Sequence, residues 1–517
     1  MSERAAPHVL VIYAHPRRGS FGEALKDALL AGMRPGTTEV RVHDLYAEKF
    51  DPLLRDVAEN ARRPDTLRLQ ADVRWAERLV FVCPVWWTSV PAILKGYLDR
   101  VFTEDFSFRY TPFGMPEGLL VGKRAYLIGT CDTPLFMLPL TGGRLGFKGI
   151  QRGVLQFCGI RPVSTHLFGS VYASTAARRG AWLRRAAALG ARIGRPEAWW
   201  ERARTRARYL LQAARLPLSS LVVASLFLGA SFGASHAGRF RGWGFAAALL
   251  VGLLAHVAVS YSNEVADEAI DSANANRTPF SGGTGLLHAG RLTRRSLQWG
   301  WIGAALASFL LAVLFVIGTG SHAVFAASLA FALVLGIGYS LPPLRLSRRG
   351  LGELAAFVAY GVPFMLMGLA TQVGRSEVAA LARRPELYLL ALQFSVSVFV
   401  LLSLTQVPDT AADRAHRKRS ISVLLGERRV MALGCVGAGV CAVVLLVCAV
   451  LGVLPWGLGL LATVSAALFA VFLYRHGNAY EQPAGRQMVT VLGVASGFPL
   501  LCAVIPAVAL LLRGMRP

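Results

Sequence analysis

The sequence predicts two fold classes in one chain: a doubly wound parallel α/β sheet at the front, then an all-α membrane domain of nine transmembrane helices. Three observations point there. Apolar strand-like runs alternate with amphipathic helices over roughly the first third of the chain. From about Leu216 onward, apolar runs long enough to cross a bilayer dominate. The whole chain is 54% hydrophobic and only 16% charged, with mean hydropathy +0.47, too apolar for an ordinary soluble protein.

The first α/β unit is HVLVIYAHPRRGSFGEALKDALLAGM, an apolar strand, a small-residue loop and an amphipathic helix. A second runs through EVRVHDLYAE, a third is ERLVFVCPVWWTSVPAILKGYLDRVF, and RAYLIGTCDTP supplies a fourth strand. In such sheets ligands bind beyond the carboxyl ends of the strands. Residues 15–21, 84–89 and 130–134 lie there. The first loop offers backbone N–H groups and the Ser20 hydroxyl at a helix N-terminus, a natural phosphate site, and Trp86 and Trp87 could flank a planar ring. The same residues also read as a helix cap and two core tryptophans.

AHPRRGSF followed by PVWWTSVPAILKGYLDRVF resembles the flavodoxin-like NAD(P)H:quinone oxidoreductases over residues 7–175 or so. The resemblance implies a bound flavin, FMN or FAD, that takes hydride from NAD(P)H and passes two electrons to a quinone. It assigns His15, Ser20, Phe21, Pro84, Val85, Trp86 and Trp87 to the flavin, and Thr130 joins them from the end of the fourth strand. Gly22 stands where Asn is common, and TCDTP replaces a Thr-Gly-Gly run. Members of that family are commonly dimers, so a homodimer through this domain is a further expectation.

Residues 176–215 are rich in Arg and Ala, with Trp199 and Trp200 in the middle. The first part reads as the last helix of the front domain. The second reads as a basic amphipathic helix on an anionic leaflet, or else as a solvated linker. The expected division is therefore 1–175 for the α/β domain, 176–215 for a basic amphipathic linker at the membrane surface, and 216–517 for the membrane domain.

The formal charge of +25 raises nucleic acid as a partner. Its arginines, however, cluster in the linker and in loops between apolar runs, the pattern of a membrane protein's cytoplasmic face, so the bilayer is the expected partner and nucleic acid is not. The seven cysteines are scattered, without C-x-x-C, so neither a zinc site nor a disulfide framework is expected. No signal peptide is read at the N-terminus, which places the front domain in the cytoplasm.

The spans are expected near 216–236, 240–262, 297–317, 322–341, 351–372, 388–407, 430–452, 454–474 and 487–511. With the N-terminus inside, the cytoplasmic loops carry most of the Lys and Arg, which orients the chain in the inner (cytoplasmic) membrane. Two acidic motifs then fall on the cytoplasmic side. NEVADEAID puts Asn263, Asp267 and Asp271 at i, i+4 and i+8 of a helix extension, and PDTAADRAHRKRS puts Asp409 and Asp413 at i, i+4 before Lys418. Paired carboxylates suit hard cations such as Mg²⁺, which takes few protein oxygens plus phosphate oxygens, and neighbouring cations suit the remaining charge of a diphosphate. A lone motif of this kind is usually solvated charge. Two on one side of a membrane domain argue for a site.

These motifs, with RTPFSGGTG and YSLPPLRLSRRGLGE between them, resemble the UbiA family of intramembrane prenyltransferases over about residues 208–512. Glu264 replaces the commoner Asp, and Arg417 stands where Gly is usual. The resemblance implies Mg²⁺ held by Asp267, Asp271, Asp409 and Asp413 with help from Asn263, and a leaving diphosphate steadied by Arg277 and Lys418. The substrates it implies are a polyprenyl diphosphate and an aromatic acceptor. The fused reductase would keep a quinone acceptor in its electron-rich reduced form, or reduce the product afterward. An alternative keeps prenyl transfer but gives it a lipid or porphyrin acceptor, with the front domain in a separate redox or regulatory role.

Overall fold

Branched apolar runs, which favour the half-buried pleated surface of a sheet, supply the strands of the front half. The computed structural model describes residues 6–33, 38–110, 116–140, 145–196, 199–274, 278, 280–288, 290–320, 322–482 and 485–514. The chain forms two units, Met1–Arg202 and Ala203–Pro517. In the first, the strands are β1 (His8–Tyr13), β2 (Glu39–Asp44), β3 (Arg78–Pro84), β4 (Phe108–Tyr110), β5 (Pro116–Gly118), β6 (Arg124–Thr130) and β7 (Val163–Phe168). Five of them make a parallel sheet in the order β2-β1-β3-β6-β7, the doubly wound arrangement that was expected. Val11 sits in register between Val42 and Val80. The fifth parallel strand, β7, and the short antiparallel pair β4–β5 are additions to the four strands read from sequence.

Successive strand residues point to opposite faces, and the sheet is buried on both. Around it lie α1 (Phe21–Gly32), α2 (Val57–Asn60), α3 (Pro64–Trp75), α4 (Ala92–Val101), α5 (Leu145–Lys148) and α6 (Ala176–Gly194). Leu10, Ile12, Leu79 and Phe81 pack with Leu69 and Val73 of α3 and Leu94 and Tyr97 of α4. Val9, Val11, Val80 and Val82 pack with Leu25 and Leu29 of α1 and Leu189 and Ile193 of α6. α1 and α6 approach backbone to backbone: a Cβ on Gly32 would lie 2.0 Å from the Ala187 carbonyl oxygen, and one on Gly190 2.0 Å from that of Leu29. The segment from residue 176 to 194 is thus built into the front unit.

One buried cation ties α4 to the start of α3 and to the chain before it. Arg100 is fully buried, donating to Asp65 Oδ2 at 2.7 Å, Thr66 Oγ1 at 2.9 Å, Asn60 Oδ1 at 2.9 Å and the Asp51 carbonyl at 2.6 Å. Against burial, which works the other way, hydrogen bonds from Arg63 and Arg100 hold the Asp65 carboxyl at about 2.

α7 (Trp199–Ala213) leads into the membrane unit, where Tyr209, Leu210 and Ala213 pack with Tyr261, Val265 and Leu297. The following long helices are α8 (Leu216–Ala237), α9 (Gly242–Ala266), the short α10 (Glu268–Ala273), α11 (Arg294–Thr319) and α12 (Val324–Ser340). Next come α13 (Gly352–Tyr360), α14 (Val362–Ala370), α15 (Arg375–Leu381), α16 (Pro385–Thr405), α17 (Thr410–Ala415) and α18 (Ile421–Leu425). The last are α19 (Glu427–Val450), α20 (Trp456–Arg475) and α21 (Arg486–Gly514). Among the described residues eight spans are long and apolar enough to cross a membrane, and α12, at 17 residues, is a shorter apolar helix, compatible with nine in all. This is a multi-pass membrane domain.

The fifth span departs from the uninterrupted helix expected. It breaks at Gly361, where φ is −78° and ψ is −101°, between α13 and α14. Pro363 lacks an N–H and interrupts the helical ladder. A Cβ at Gly361 would overlap Ser395 Oγ, and its carbonyl is satisfied by the Ser225 hydroxyl of α8 at 3.2 Å.

Replacing Arg100 with Leu takes the donor from the Asp51 carbonyl and leaves Asp65 to Arg63 and Asn60 Oδ1 to the Thr66 hydroxyl. The front unit should lose about 3 kcal/mol, read as a lower unfolding temperature of that transition in the full chain. Because the Asp65 pKa is depressed, its contribution is present above the ordinary carboxylate pKa and disappears as pH falls toward about 2.

Candidate active sites

At the carboxyl ends of β1, β3 and β6 a cavity of about 670 Å³ opens in the front unit. His15, Ser20, Phe21, Pro84, Val85, Trp86 and Thr130 all line it. Ser20 is also the cap of α1: its Oγ accepts from the Glu23 N–H at 3.2 Å and lies 3.1 Å from the Tyr13 hydroxyl. The two readings of Ser20 are therefore compatible. His15 Nδ1 accepts from the Arg17 N–H at 3.1 Å, and burial lowers the ring's pKa below the ordinary value, favouring a neutral imidazole.

Trp87 does not line the cavity. Trp86 and Ser89 exchange backbone hydrogen bonds of 2.9 and 2.8 Å, and the two residues between them, Trp87 and Thr88, both have positive φ. That tight turn leaves the Trp87 side chain 97% exposed. Arg17 and Arg179, which sequence reading passed over, add two cations to the cavity wall, and Tyr172 contributes an exposed ring. Both arginines were hidden in a general excess of basic residues.

In the membrane unit, a second cavity of about 160 Å³ is lined by Asn263, Asp267, Asp271, Asp409 and Lys418 together with apolar residues from α8, α12, α13 and α16. α9 ends at Ala266 and the chain turns at Asp267, so the expected helix extension is broken. Its spacing survives, because the Asp267 N–H bonds to the Asn263 carbonyl at 2.9 Å and the Asp271 N–H to that of Asp267 at 2.8 Å. The second motif keeps the same step through the Asp413 N–H to the Asp409 carbonyl, 2.9 Å.

Lys418 joins the motifs, with Nζ 3.1 Å from Asp267 Oδ2 and 3.6 Å from Asp413 Oδ1. Burial opposes its charge, but Asp267, Tyr339 and Asp413 hold its pKa above the ordinary value. Asn274 Nδ2 donates to Asp409 Oδ1 at 2.7 Å, a second tie between motifs, and the Ser340 hydroxyl donates to Asn263 Oδ1 at 2.6 Å. Asp413 is fully buried behind Lys418 and does not line the cavity; neither of its carboxylate oxygens has a hydrogen-bond partner among the described residues. Arg277 lies outside the described residues.

Negative charge is concentrated here. Burial, and then Asp267, Glu264 and Asp409, raise Asp271 to about 7 against the pull of Arg215. Burial and Asp413 raise Asp409 to about 6. Among the described residues no three carboxylate, His or Cys side chains stand close enough to hold one ion by themselves. The arrangement instead offers all-oxygen donors on two sides of a cavity, with Lys418 between them. That fits a cation completed by phosphate oxygens rather than a closed protein cage.

A brace unseen in the sequence supports the first motif. Arg215, just before α8, puts Nη2 3.1 Å from Glu264 Oε2 and 3.9 Å from Asp271 Oδ2. Glu264 also accepts from the Thr284 N–H, at 3.1 Å, and from the Thr284 hydroxyl. Glu264 thus fixes the Gly-rich turn. Gly283 in that turn has φ +69°, and a Cβ there would lie 2.0 Å from Asp271 Oδ2. The separation of Arg215 and Glu264, 49 residues, hid the pair; an arginine at the mouth of a span was the available signal.

Arg417 has φ +56°, which accounts for the Gly usual at this place in the family it resembles. Arg417→Gly should stabilise the membrane unit by about 1 kcal/mol, read as a rise in its unfolding temperature.

Comparison with known proteins agrees with both halves. The UbiA prenyltransferase family matches residues 222–490, and the flavodoxin-like fold matches residues 7–189. NAD(P)H dehydrogenase (quinone) 1 of Cavia porcellus is 33% identical over 189 residues, 32% of this chain and 68% of its own length. Ribosyldihydronicotinamide dehydrogenase (quinone) of Homo sapiens is 31% identical over 211 residues, 35% of this chain and 91% of its own. The solved NAD(P)H:quinone oxidoreductase from Methanothermobacter marburgensis shares 25% identity over 36% of this chain and 98% of its own, with a TM-score of 0.32. The chain belongs to the UbiA prenyltransferase family, and is an enzyme in which that membrane domain follows a flavodoxin-like domain of the NAD(P)H quinone oxidoreductase family.

Proposed function

We propose that the chain is a bifunctional enzyme of isoprenoid-quinone or prenylated-aromatic biosynthesis. The membrane unit transfers a prenyl group from a polyprenyl diphosphate to a hydroquinone-type aromatic acceptor, and the front unit reduces the quinone with NAD(P)H through FMN or FAD. The observation that carries this reading is the second cavity, which joins carboxylates and a lysine from both acidic motifs to an apolar interior.

In this reading Asp267, Asp271 and Asp409 would hold Mg²⁺, with Asn263 beside them and Asp413 paired to Lys418. Mg²⁺, when bound, supplies positive charge to the leaving diphosphate as the C–O bond breaks. Lys418 steadies the same developing charge, and Arg277 takes a like role from its place in the motif. The apolar walls take the isoprenoid chain and keep water from the allylic cation. In the front unit Ser20 and the α1 N-terminus would hold the phosphate of the flavin, with Arg17 and Arg179 adding positive charge to the same cavity and Trp86 offering a ring to its wall. The flavin supplies two-electron transfer from NAD(P)H to quinone. Trp87 and Tyr172, both strongly exposed, favour a second copy of the front domain covering them. Basic loops at the motif end support a reading in which that end, with the reductase, faces the cytoplasm from the inner membrane.

A quinone ring is electron-poor and resists an allylic cation, whereas a hydroquinone does not. Tethering the reductase raises its effective concentration at the transferase to about the mM range for a short flexible linker. In nanodiscs with Mg²⁺ and labelled prenyl diphosphate, a quinone should be prenylated only with NAD(P)H present, and the chemically reduced acceptor without it. Transfer indifferent to NAD(P)H for every acceptor would sink the coupling and favour a non-quinone acceptor.

Protons and Mg²⁺ compete for Asp271 and Asp409, whose pKa values lie at about 7 and about 6. Apparent Mg²⁺ affinity should therefore rise about 10- to 100-fold between roughly pH 5.5 and 7.5, read from the Mg²⁺-dependent shift in unfolding temperature. Because these pKa values are raised, the Mg²⁺-free protein loses stability as pH rises through that window.

A further inference from the structure

Below the carboxylates, α9 presents a polar pair to the same cavity. His256, Ser260, Asn263 and Asp267 all line it, at i, i+4, i+7 and i+11 of one helix face. His256 therefore sits about two turns, or roughly 10 Å, deeper in the membrane than Asn263. It is 5% exposed. Its Nε2 lies 3.0 Å from the Ala214 carbonyl oxygen and 3.3 Å from Ser260 Oγ. A carbonyl only accepts, so Nε2 carries the proton, and a neutral ring then has a bare lone pair on Nδ1. A charged ring at this depth is disfavoured. Nδ1 is buried and has no partner among the described residues. An unpaired buried acceptor costs free energy unless a ligand pairs with it.

Elsewhere the same cavity is walled by Gly336, Ala355, Ala356 and Ala359, with Tyr360. Small side chains leave room for a flat ring. We propose that His256 Nδ1 receives a ring hydroxyl of the aromatic acceptor, with Ser260 and the Ala214 carbonyl orienting the imidazole through Nε2, and that this makes the site select hydroquinols over quinones. A hydroquinol O–H donates to Nδ1, while Ser260 and the Ala214 carbonyl, both on the Nε2 side, hold the imidazole ring in place. A quinone oxygen has no proton to give and sets its lone pairs against that of Nδ1. The proposal rests on the prenyl-transfer reading above and deepens it: the transferase would read the redox state that the reductase sets.

The test uses the full chain in nanodiscs with Mg²⁺ and geranyl S-thiolodiphosphate, an unreactive donor analogue. Two probes of the same ring and electron richness, 1-naphthol and 1-methoxynaphthalene, are titrated against the unfolding temperature of the membrane unit. Neither is a quinone, so the flavin site cannot reduce either one. The wild-type chain should bind the naphthol about tenfold more tightly than its ether, the worth of one buried hydrogen bond. His256→Leu should bring the ratio near one. His256→Asn, which keeps an acceptor near the Nδ1 position, should retain part of it. An unaltered response to the donor analogue shows that each variant is folded. A ratio near one in the wild type, no binding of either probe, or a ratio unchanged in His256→Leu overturns the subsite while a normal donor response leaves the prenyl-transfer reading standing. Absence of any Mg²⁺-dependent donor response in the wild type overturns both.

Discussion

The membrane unit is organised around one electrostatic constraint: several carboxylates are buried together at the end of a lipid-embedded bundle. Isolated buried charge of one sign is costly, and the chain offsets it with two cations from distant places in its sequence. Lys418 spans Asp267 and Asp413, and Arg215 spans Glu264 and Asp271. Both are positioned by backbone that departs from regular helix, with Arg215 and Arg417, next to Lys418, at positive φ. The loops that make these turns are therefore part of the charge arrangement. Their geometry sets how far apart the two acidic rows stand.

Much of this was legible from residue patterns. The strands at His8–Tyr13, Arg78–Pro84 and Arg124–Thr130 are continuous apolar runs, and such runs announce a parallel sheet covered on both faces. β7, VSTHLF, is an edge strand carrying Ser, Thr and His, and its mixed polarity hid it. The β4–β5 pair has strands of three residues, too short for a period to show. Among the described residues, the eight long apolar helices and the shorter α12 were legible because lipid demands length and apolarity together.

The sites were legible to the extent that a motif lies in one local stretch. His15, Ser20, Phe21, Trp86 and the carboxylates of both acidic motifs come from such stretches. Direction was not legible: the tryptophan pair reads as one feature, yet a two-residue turn sends Trp86 and Trp87 to different environments. Long-range partners were not legible either. Arg215 with Glu264, Asn274 with Asp409, and His256 with Ala214 are pairings that only the packed bundle brings together.

The interrupted fifth span bears on how the bundle is assembled in the membrane. Its two halves, Gly352–Tyr360 and Val362–Ala370, are nine residues each, about 13 Å of helix, less than half of a bilayer's hydrocarbon thickness. Neither half can enter lipid as a span on its own, and a Gly361 carbonyl held within the span only by the 3.4 Å bond from the Met365 N–H adds to the cost. Ser225, which accepts that burden, lies on α8, synthesised well before the break. The order of translation thus delivers the hydroxyl ahead of the carbonyl it must satisfy, and the defect enters the membrane beside its remedy.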